Sequence, residues 1–239
     1  MVASAKLFVE NEIALRFHDK LLRGLSTLKL KQLLKRKNPY LFRAKAVHVA
    51  SELVTQILNA HLSSNEETIF GDFLEALAIH ICAEAFGGRK STTEGIDLEF
   101  ERGNVRYIVS IKSGPNWGNS QQIKRMKANF AQAKKIAGKS RLEAVNGCCY
   151  GKEAQTNKGT HFKYCGQDFW EHISGVDDFY QQIVEPLGTN ARVRTEEFAM
   201  KYAQVVNQFT AEFIDDFCDA SGQINWDELL KFNSGRTST

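Results

Sequence analysis

The sequence predicts an α/β protein with helical N- and C-terminal extensions. Apolar residues recur at helical spacing through the first 62 residues, alternate with polar ones from Ile96 to Lys112, and return to helical spacing in the last third. With 239 residues, 43% hydrophobic and 25% charged, the chain has enough apolar material for a well-buried core. No repeat, low-complexity stretch or linker breaks it, so the expected organisation is a single domain over 1–239, with helical regions over about 1–62 and 165–239.

In the first region Leu21, Leu22, Leu25 and Leu28, then Val49, Leu53, Ile57 and Leu58, form helical stripes. They are parted at Asn38-Pro39, where one helix ends and another segment starts. Ser63 and Ser64 ahead of Glu66 and Glu67 suggest a capped start for an apolar helix from Glu66 to Phe86, stopped by Gly87-Gly88. Ile96, Leu98 and Phe100 then alternate with Asp97, Glu99 and Glu101, and Val105 to Lys112 is a second β-rich run beyond a turn at Arg102-Gly103-Asn104. The loop Ser113 to Gly118 leads to a helix capped by Asn119 or Ser120. One face of that helix carries Ile123, Met126, Phe130, Ala133 and Ile136, and the other carries Lys124, Arg125, Lys127, Lys134 and Lys135. A strand over Leu142 to Tyr150, a polar loop from Gly151 to Thr160, and helices including Val176 to Val184 and Thr195 to Cys218 complete the reading.

Composition narrows the function classes. There is no apolar run of 18 residues, and Glu10 and Glu12 interrupt the N-terminal stretch where a signal peptide is apolar, so the expectation is a soluble cytoplasmic protein without a membrane partner. Five cysteines lack CxxC spacing and six histidines lack HExxH or HxH spacing, which argues against a zinc site or a disulfide framework. Net charge is +3, but residues 1–50 carry eleven Lys or Arg against three acids, whereas residues 195–239 carry three against eight. The basic end, with Lys29, Lys31, Lys35, Arg36 and Lys37, suggests a footprint for phosphates; the alternative is a solvated helix face.

A hairpin turning at Gly103-Asn104 pairs Arg102 with Val105, Glu101 with Arg106 and Phe100 with Tyr107, and continues to Asp97 opposite Ser110. Alternation then projects Asp97, Glu99, Ser110 and Lys112 from one side. Two carboxylates and a lysine in that arrangement suit phosphodiester hydrolysis. A carboxylate can hold Mg²⁺, whose charge acidifies water and neutralises the phosphate, while the ammonium orients that water. The competing reading is a hairpin whose polar face is merely solvated.

These residues carry a family resemblance. Asp97-Leu98-Glu99, the strand Tyr107 to Lys112 and the loop Ser113-Gly114-Pro115-Asn116-Trp117-Gly118-Asn119 resemble the core of PmeII-like type II restriction endonucleases, in the PD-(D/E)xK superfamily. The likeness runs from Ile69-Phe70-Gly71-Asp72-Phe73-Leu74-Glu75 to Tyr164-Cys165-Gly166-Gln167-Asp168-Phe169-Trp170, with later pieces at Glu185 to Gly188 and Lys231 to Gly235. It implies a restriction-endonuclease-like mixed central β-sheet flanked by helices, and Mg²⁺-dependent cleavage of double-stranded DNA by a homodimer at a short symmetric site. It also implies Asp97 as the metal-binding acid and Lys112 as the motif lysine. One position departs from the pattern: Ser110 stands where the superfamily usually has Asp or Glu.

No Asp or Glu lies between Arg102 and Arg141, so a displaced acid must come from upstream. Glu75 sits in an almost wholly apolar helix, where a carboxylate needs a partner such as a metal or Lys112. Pairing with an arginine or facing water is the alternative. Glu99 is the next candidate metal ligand, and Glu94 reads as a loop charge. Asn116, Trp117 and Asn119, followed by Lys124 and Arg125, are candidates to enter a DNA groove, although Pro115 and Trp117 equally suit anchoring of the loop. Lys152, Asn157, Lys158 and His161 are weaker phosphate candidates, and Phe169, Trp170 and Tyr180 read as core. The expectation is a restriction endonuclease using Asp97, Glu75, Lys112 and Ser110. Its rivals are a structure-selective repair or junction nuclease and a DNA-binding protein that has lost catalysis.

Overall fold

A computed structural model of the protein describes residues 3–138, 141–188 and 191–236. In chain order the elements are α1 (Ala3–Phe8), a π-helical segment (Val9–Ala14), α2 (Leu15–Thr27), α3 (Leu30–Lys35), α4 (Pro39–Ala44) and α5 (Ala50–Phe86), then β1 (Arg89–Lys90), β2 (Leu98–Arg102), β3 (Val105–Lys112), α6 (Ser120–Ala137), β4 (Leu142–Cys148) and β5 (Phe162–Cys165). The chain closes with α7 (Gln167–Ser174), α8 (Phe179–Gln182), α9 (Val184–Leu187), α10 (Ala191–Phe217) and α11 (Trp226–Ser234). They form two compact units, Met1–Leu15 with Phe70–Thr189, and Arg16–Ile69 with Asn190–Thr239.

The first unit holds a mixed sheet of order β1-β2-β3-β4-β5. The β1–β2 and β2–β3 pairs are antiparallel, and the β3–β4 and β4–β5 pairs are parallel. Gly103 and Asn104 both take positive φ, 58° and 62°, as a two-residue hairpin turn requires. That turn fixes the expected register, from Arg102↔Val105 through Phe100↔Tyr107 to Leu98↔Val109. On one face Met126, Phe130 and Ala133 of α6 cover Ile108 and Ala144. The α6 stripe is buried only in its middle, since Ile136 at its end is 74% exposed. On the other face Phe169 packs against Gly147, and Trp170 Nε1 donates to the Cys149 carbonyl at 2.8 Å.

The second unit is helical. Leu25, Leu33, Phe42, Leu53, Leu58, Phe213 and Leu229 form its core. Asn38 caps α4 by accepting from the Tyr40 amide at 3.0 Å, with Pro39 in the first turn where its missing N–H costs nothing. The break read at Asn38-Pro39 is therefore a cap. Among the described residues no helix is long and apolar enough to cross a membrane.

Two local expectations fail for physical reasons, and two short strands carry no signal. Ser63 and Ser64 do not cap a helix start, because α5 is continuous for 37 residues from Ala50. Nothing between Ala50 and Phe70 is Pro or Gly, and the Thr68 hydroxyl donates to the Ser64 carbonyl one turn back, as polar residues do inside a helix. Strands β1 and β5 are too short to show alternation; each closes one edge of the sheet. The predicted helix Val176 to Val184 is a turn followed by the single turns α8 and α9. The Gly87 stop is where the sequence puts it, with φ 66° and Gly88 N–H bonded to the Cys82 carbonyl at 3.0 Å.

Gly147 lies in β4 where an added methyl would overlap the Phe169 ring. Gly147→Ala is expected to lower stability by about 1–3 kcal/mol through overpacking, measured as a shift in the urea unfolding midpoint at unchanged slope.

Candidate active site

The hairpin register puts Asp97 one residue before β2, where its N–H donates to the Val109 carbonyl at 2.8 Å. That is the last backbone bond of the pair. The next β3 amide facing the same way belongs to Ile111, and it donates to Asp97 Oδ2 at 2.6 Å. The same oxygen lies 3.4 Å from the Ser110 hydroxyl and 3.6 Å from Lys112 Nζ. Lys112 also donates to the Ile111 carbonyl at 2.7 Å, and its ammonium stands 5.3 Å from the centroid of the Trp117 ring. Ser110 is buried at 2% exposure.

Glu75 enters this cluster from α5. Burial raises its pKa, the Asp97 charge raises it further, and Lys90 and Lys112 act in the opposite sense. Lys90 Nζ is 3.6 Å from its carboxylate. Gly71, one turn earlier in the helix, leaves room for the Ser113 side chain, since a Cβ there would sit 2.6 Å from Ser113 Oγ. Cys149 borders the same site: burial pushes its thiol up to about 12, with the Glu75 charge adding and Lys112 opposing.

Asp97, Glu75, Lys112 and Ser110 are therefore brought together. Glu99 is not with them. It is 7% exposed and held by Arg89 at 2.8 Å and Arg106 at 2.6 Å. Burial alone would raise its pKa, but the hydrogen bonds and charges of Arg106 and Arg89 outweigh this and lower it. The register explains the pairing: Arg89 is directly opposite Glu99, and Arg106 is opposite the neighbouring Glu101. With β1 invisible in the sequence, Arg89 could not be foreseen.

Among the described residues no three His, Cys, Asp or Glu side chains gather as a ready-made metal cage. The donor set nevertheless suits Mg²⁺, which is ordinarily held by one or two carboxylates together with water and substrate phosphates. The mutual repulsion of Glu75 and Asp97 is what a cation would relieve. A cleft of about 530 Å³, lined by Ser110, Lys112, Trp117, Asn129, Arg125 and Glu94 among others, opens beside the lysine.

The expected DNA contacts have mixed positions. Asn116 and Lys124 are exposed. Asn119 caps α6 in a full capping box, so its side chain is committed to the Gln121 and Gln122 amides. Arg125 pairs with Glu94 at 2.5 Å with both side chains largely in water, a contact of little strength. Trp117 turns its Nε1–H onto Asn146 Oδ1 at 3.0 Å. Lys158 pairs with Glu153 at 3.0 Å, and His161 is 7% exposed. Lys35, Arg36 and Lys37 belong to the second unit; the first two are exposed, while Lys37 Nζ donates to the Ala60 carbonyl at 3.0 Å. The sequence reading missed Lys90, Asn146 and Cys149. Of these only Asn146 carried a signal, as a polar residue within an otherwise apolar strand.

The family model for type II restriction endonuclease EcoO109I matches residues 3–195. No curated protein sequence matches the chain.

The two glutamates make opposite demands on stability. Glu75, with its folded pKa raised, favours the fold most below the ordinary value of 4.5 and loses that contribution as pH rises through the folded pKa. Glu75→Gln is thus expected to raise the thermal midpoint at pH 7, with the gain fading as pH falls through the folded pKa toward 4.5. Glu99, with its folded pKa lowered, stabilises above the unfolded value and loses this as pH falls through the folded one. Glu99→Gln should cost about 1 kcal/mol at pH 7, discounted for the exposure of both arginines, and less in acid. Thermal unfolding of both variants across pH checks the contrast.

Proposed function

The chain belongs to the type II restriction endonuclease EcoO109I family, and from that premise we propose that it hydrolyses double-stranded DNA at a short, palindromic sequence with Mg²⁺ as cofactor, acting as a homodimer. The observation that carries the chemistry is the grouping of Asp97 and Lys112 at the end of one hairpin with Glu75 from α5, each acting electrostatically on the others. Asp97 and Glu75 would hold the cation. When bound, it acidifies water and neutralises the phosphate to be cut.

The remaining roles follow from the chain's own groups. The Ile111 amide and Ser110 hydroxyl orient Asp97 by donating to one oxygen, which leaves the other free of protein hydrogen bonds among the described contacts. Lys112 supplies positive charge beside Asp97 and can donate to an attacking water or to a phosphate oxygen. Ser110 cannot serve as a carboxylate. Glu75 reaching the same cluster from a helix supports the reading of a PD-(D/E)xK site whose second acid has moved. The Ser113 to Asn119 loop supports the finer likeness to PmeII-like enzymes. We read both units as one nuclease domain with helical extensions, the exposed Asn116, Lys124, Lys35 and Arg36 being candidate DNA contacts.

The direct test is digestion of plasmid DNA of diverse sequence with purified protein and Mg²⁺, followed by sequencing of the ends. Ends sharing one symmetric sequence are expected. Ends that map to branched or damaged structures would make it a structure-selective nuclease. Absence of cutting would leave a DNA-binding protein, with Ser110 the mark of a decayed site. Asp97→Ala, Lys112→Ala and Glu75→Ala should each slow cleavage by about 100-fold or more while circular dichroism and gel-shift affinity are retained. Near-normal cutting by Glu75→Ala would end its role as the displaced acid. Neutralising Lys35, Arg36 and Lys37 together should lower the salt slope of DNA binding by about 2–3 if all three meet phosphates, with site choice unchanged; an unaltered slope would make this segment a solvated face.

A further inference from the structure

Trp117 follows the lysine strand in the loop to α6, and three contacts fix where its ring lies. Its Nε1–H donates to Asn146 Oδ1 at 3.0 Å. Asn146 is 2% exposed, stands opposite Ser110 in the β3–β4 register, and donates from Nδ2 to the Ser110 carbonyl at 3.3 Å. The ring also packs against the Ile96, Met126 and Phe130 cluster beneath α6. The loop itself is tied on both sides: Lys163 Nζ donates to the Pro115 carbonyl at 3.0 Å, and after Gly118, at φ 69°, Asn119 caps α6. An indole turned inward onto a buried amide is poorly suited to wedging between bases. Its π face instead meets the Lys112 ammonium, 5.3 Å from the ring centroid.

A lysine side chain has four rotatable carbons and a compact ammonium, so it does not hold one direction unless neighbours define it. Here Asp97 stands on one side at 3.6 Å, the Ile111 carbonyl lies behind at 2.7 Å, and the Trp117 face closes another side. The first two contacts are with the strand end itself. Only the ring is anchored through a different strand, β4, by way of Asn146.

We infer that Trp117 is a positioning residue: Asn146 holds its indole so that the aromatic face keeps the Lys112 ammonium aimed at the cleft it shares with Ser110. The inference rests on the proposal that Lys112 takes part in cleavage. It differs from a role as loop anchor, for which any large apolar side chain would serve, and from a DNA contact, which would appear in affinity.

The test uses the full-length protein with Trp117→Leu, Trp117→Phe, Lys112→Met and the Trp117→Leu/Lys112→Met pair. The DNA is a labelled duplex taken around a cut point mapped with the unaltered protein. Single-turnover cleavage rate, Kd without Mg²⁺, and thermal midpoint are measured for each. Trp117→Leu should cut about tenfold more slowly, as loss of a partly desolvated cation–π contact allows, with Kd changed by less than about threefold. Trp117→Phe, which keeps an aromatic face but loses the N–H that Asn146 holds, should regain only part of the rate and fall between Trp117→Leu and the unaltered protein. The Trp117→Leu loss in thermal midpoint should be smaller in the Lys112→Met background than in the unaltered one, because the contact is already gone.

Equal rates for Trp117→Phe and Trp117→Leu, strictly additive midpoints, or a loss confined to Kd would each overturn the inference. Should Trp117→Leu fail to fold, Trp117→Met carries the same comparison. Lys112→Met inactive with Trp117→Leu at full rate overturns the inference alone. Lys112→Met at full rate overturns the reading beneath it, and the inference with it.

Discussion

The hydrogen bond from the Ile111 amide to the Asp97 carboxylate, at 2.6 Å, is the contact on which the arrangement of the first unit's candidate site depends. β3 runs beyond the end of β2, so its last outward amide has no backbone partner on that side. A buried amide left unpaired is costly, and a side-chain oxygen from the residue just before β2 satisfies it. Asp97 thus completes the hairpin and is simultaneously aimed at the position where Lys112 emerges. Local folding and the direction of this carboxylate are one event.

Two carboxylates of this unit show how surroundings divide similar groups. Glu99 is the more buried of the pair, yet arginines on both neighbouring strands keep it ionised and structural. Glu75 is less buried, yet it faces another acid and is offset by Lys90 and by Lys112, the latter also paired with that acid. The first arrangement is closed, with charges matched inside the protein; the second is left with repulsion that an external cation would relieve. Exposure by itself would have ranked them the other way.

Much of this was legible in the chain. Gly-Asn between two alternating runs dictated the turn, the turn dictated the register, and the register brought Asp97 to Ser110 and Lys112. Glu75 was legible because an acid in an apolar helix needs a partner. What stayed hidden depended on elements too short to carry a period. β1 is two residues long, so neither Arg89 beside Glu99 nor Lys90 beside Glu75 could be anticipated. Ser63 and Ser64 misled because capping residues are recognisable by type, whereas whether a helix has already begun upstream is decided by packing of Leu53 and Leu58 in the other core. Trp117 was ambiguous between groove and anchor, since only the position of Asn146 on the adjacent strand reveals which way the indole turns.

The Gly103–Asn104 turn lies at the far end of the hairpin from Asp97, on the surface, where chains usually tolerate insertions and deletions with ease. Here such freedom is withdrawn. One residue gained or lost at the tip that was taken up by sliding β2 along β3 would reverse which side each β2 residue faces, exchanging Asp97 and Glu99 with Leu98 and Phe100. A change in length far from Asp97 would therefore turn that acid toward the fully buried place of Leu98, and set Phe100 between Arg89 and Arg106 where Glu99 now pairs. Descendants of this chain are free to vary what the tip is made of far more than how long it is.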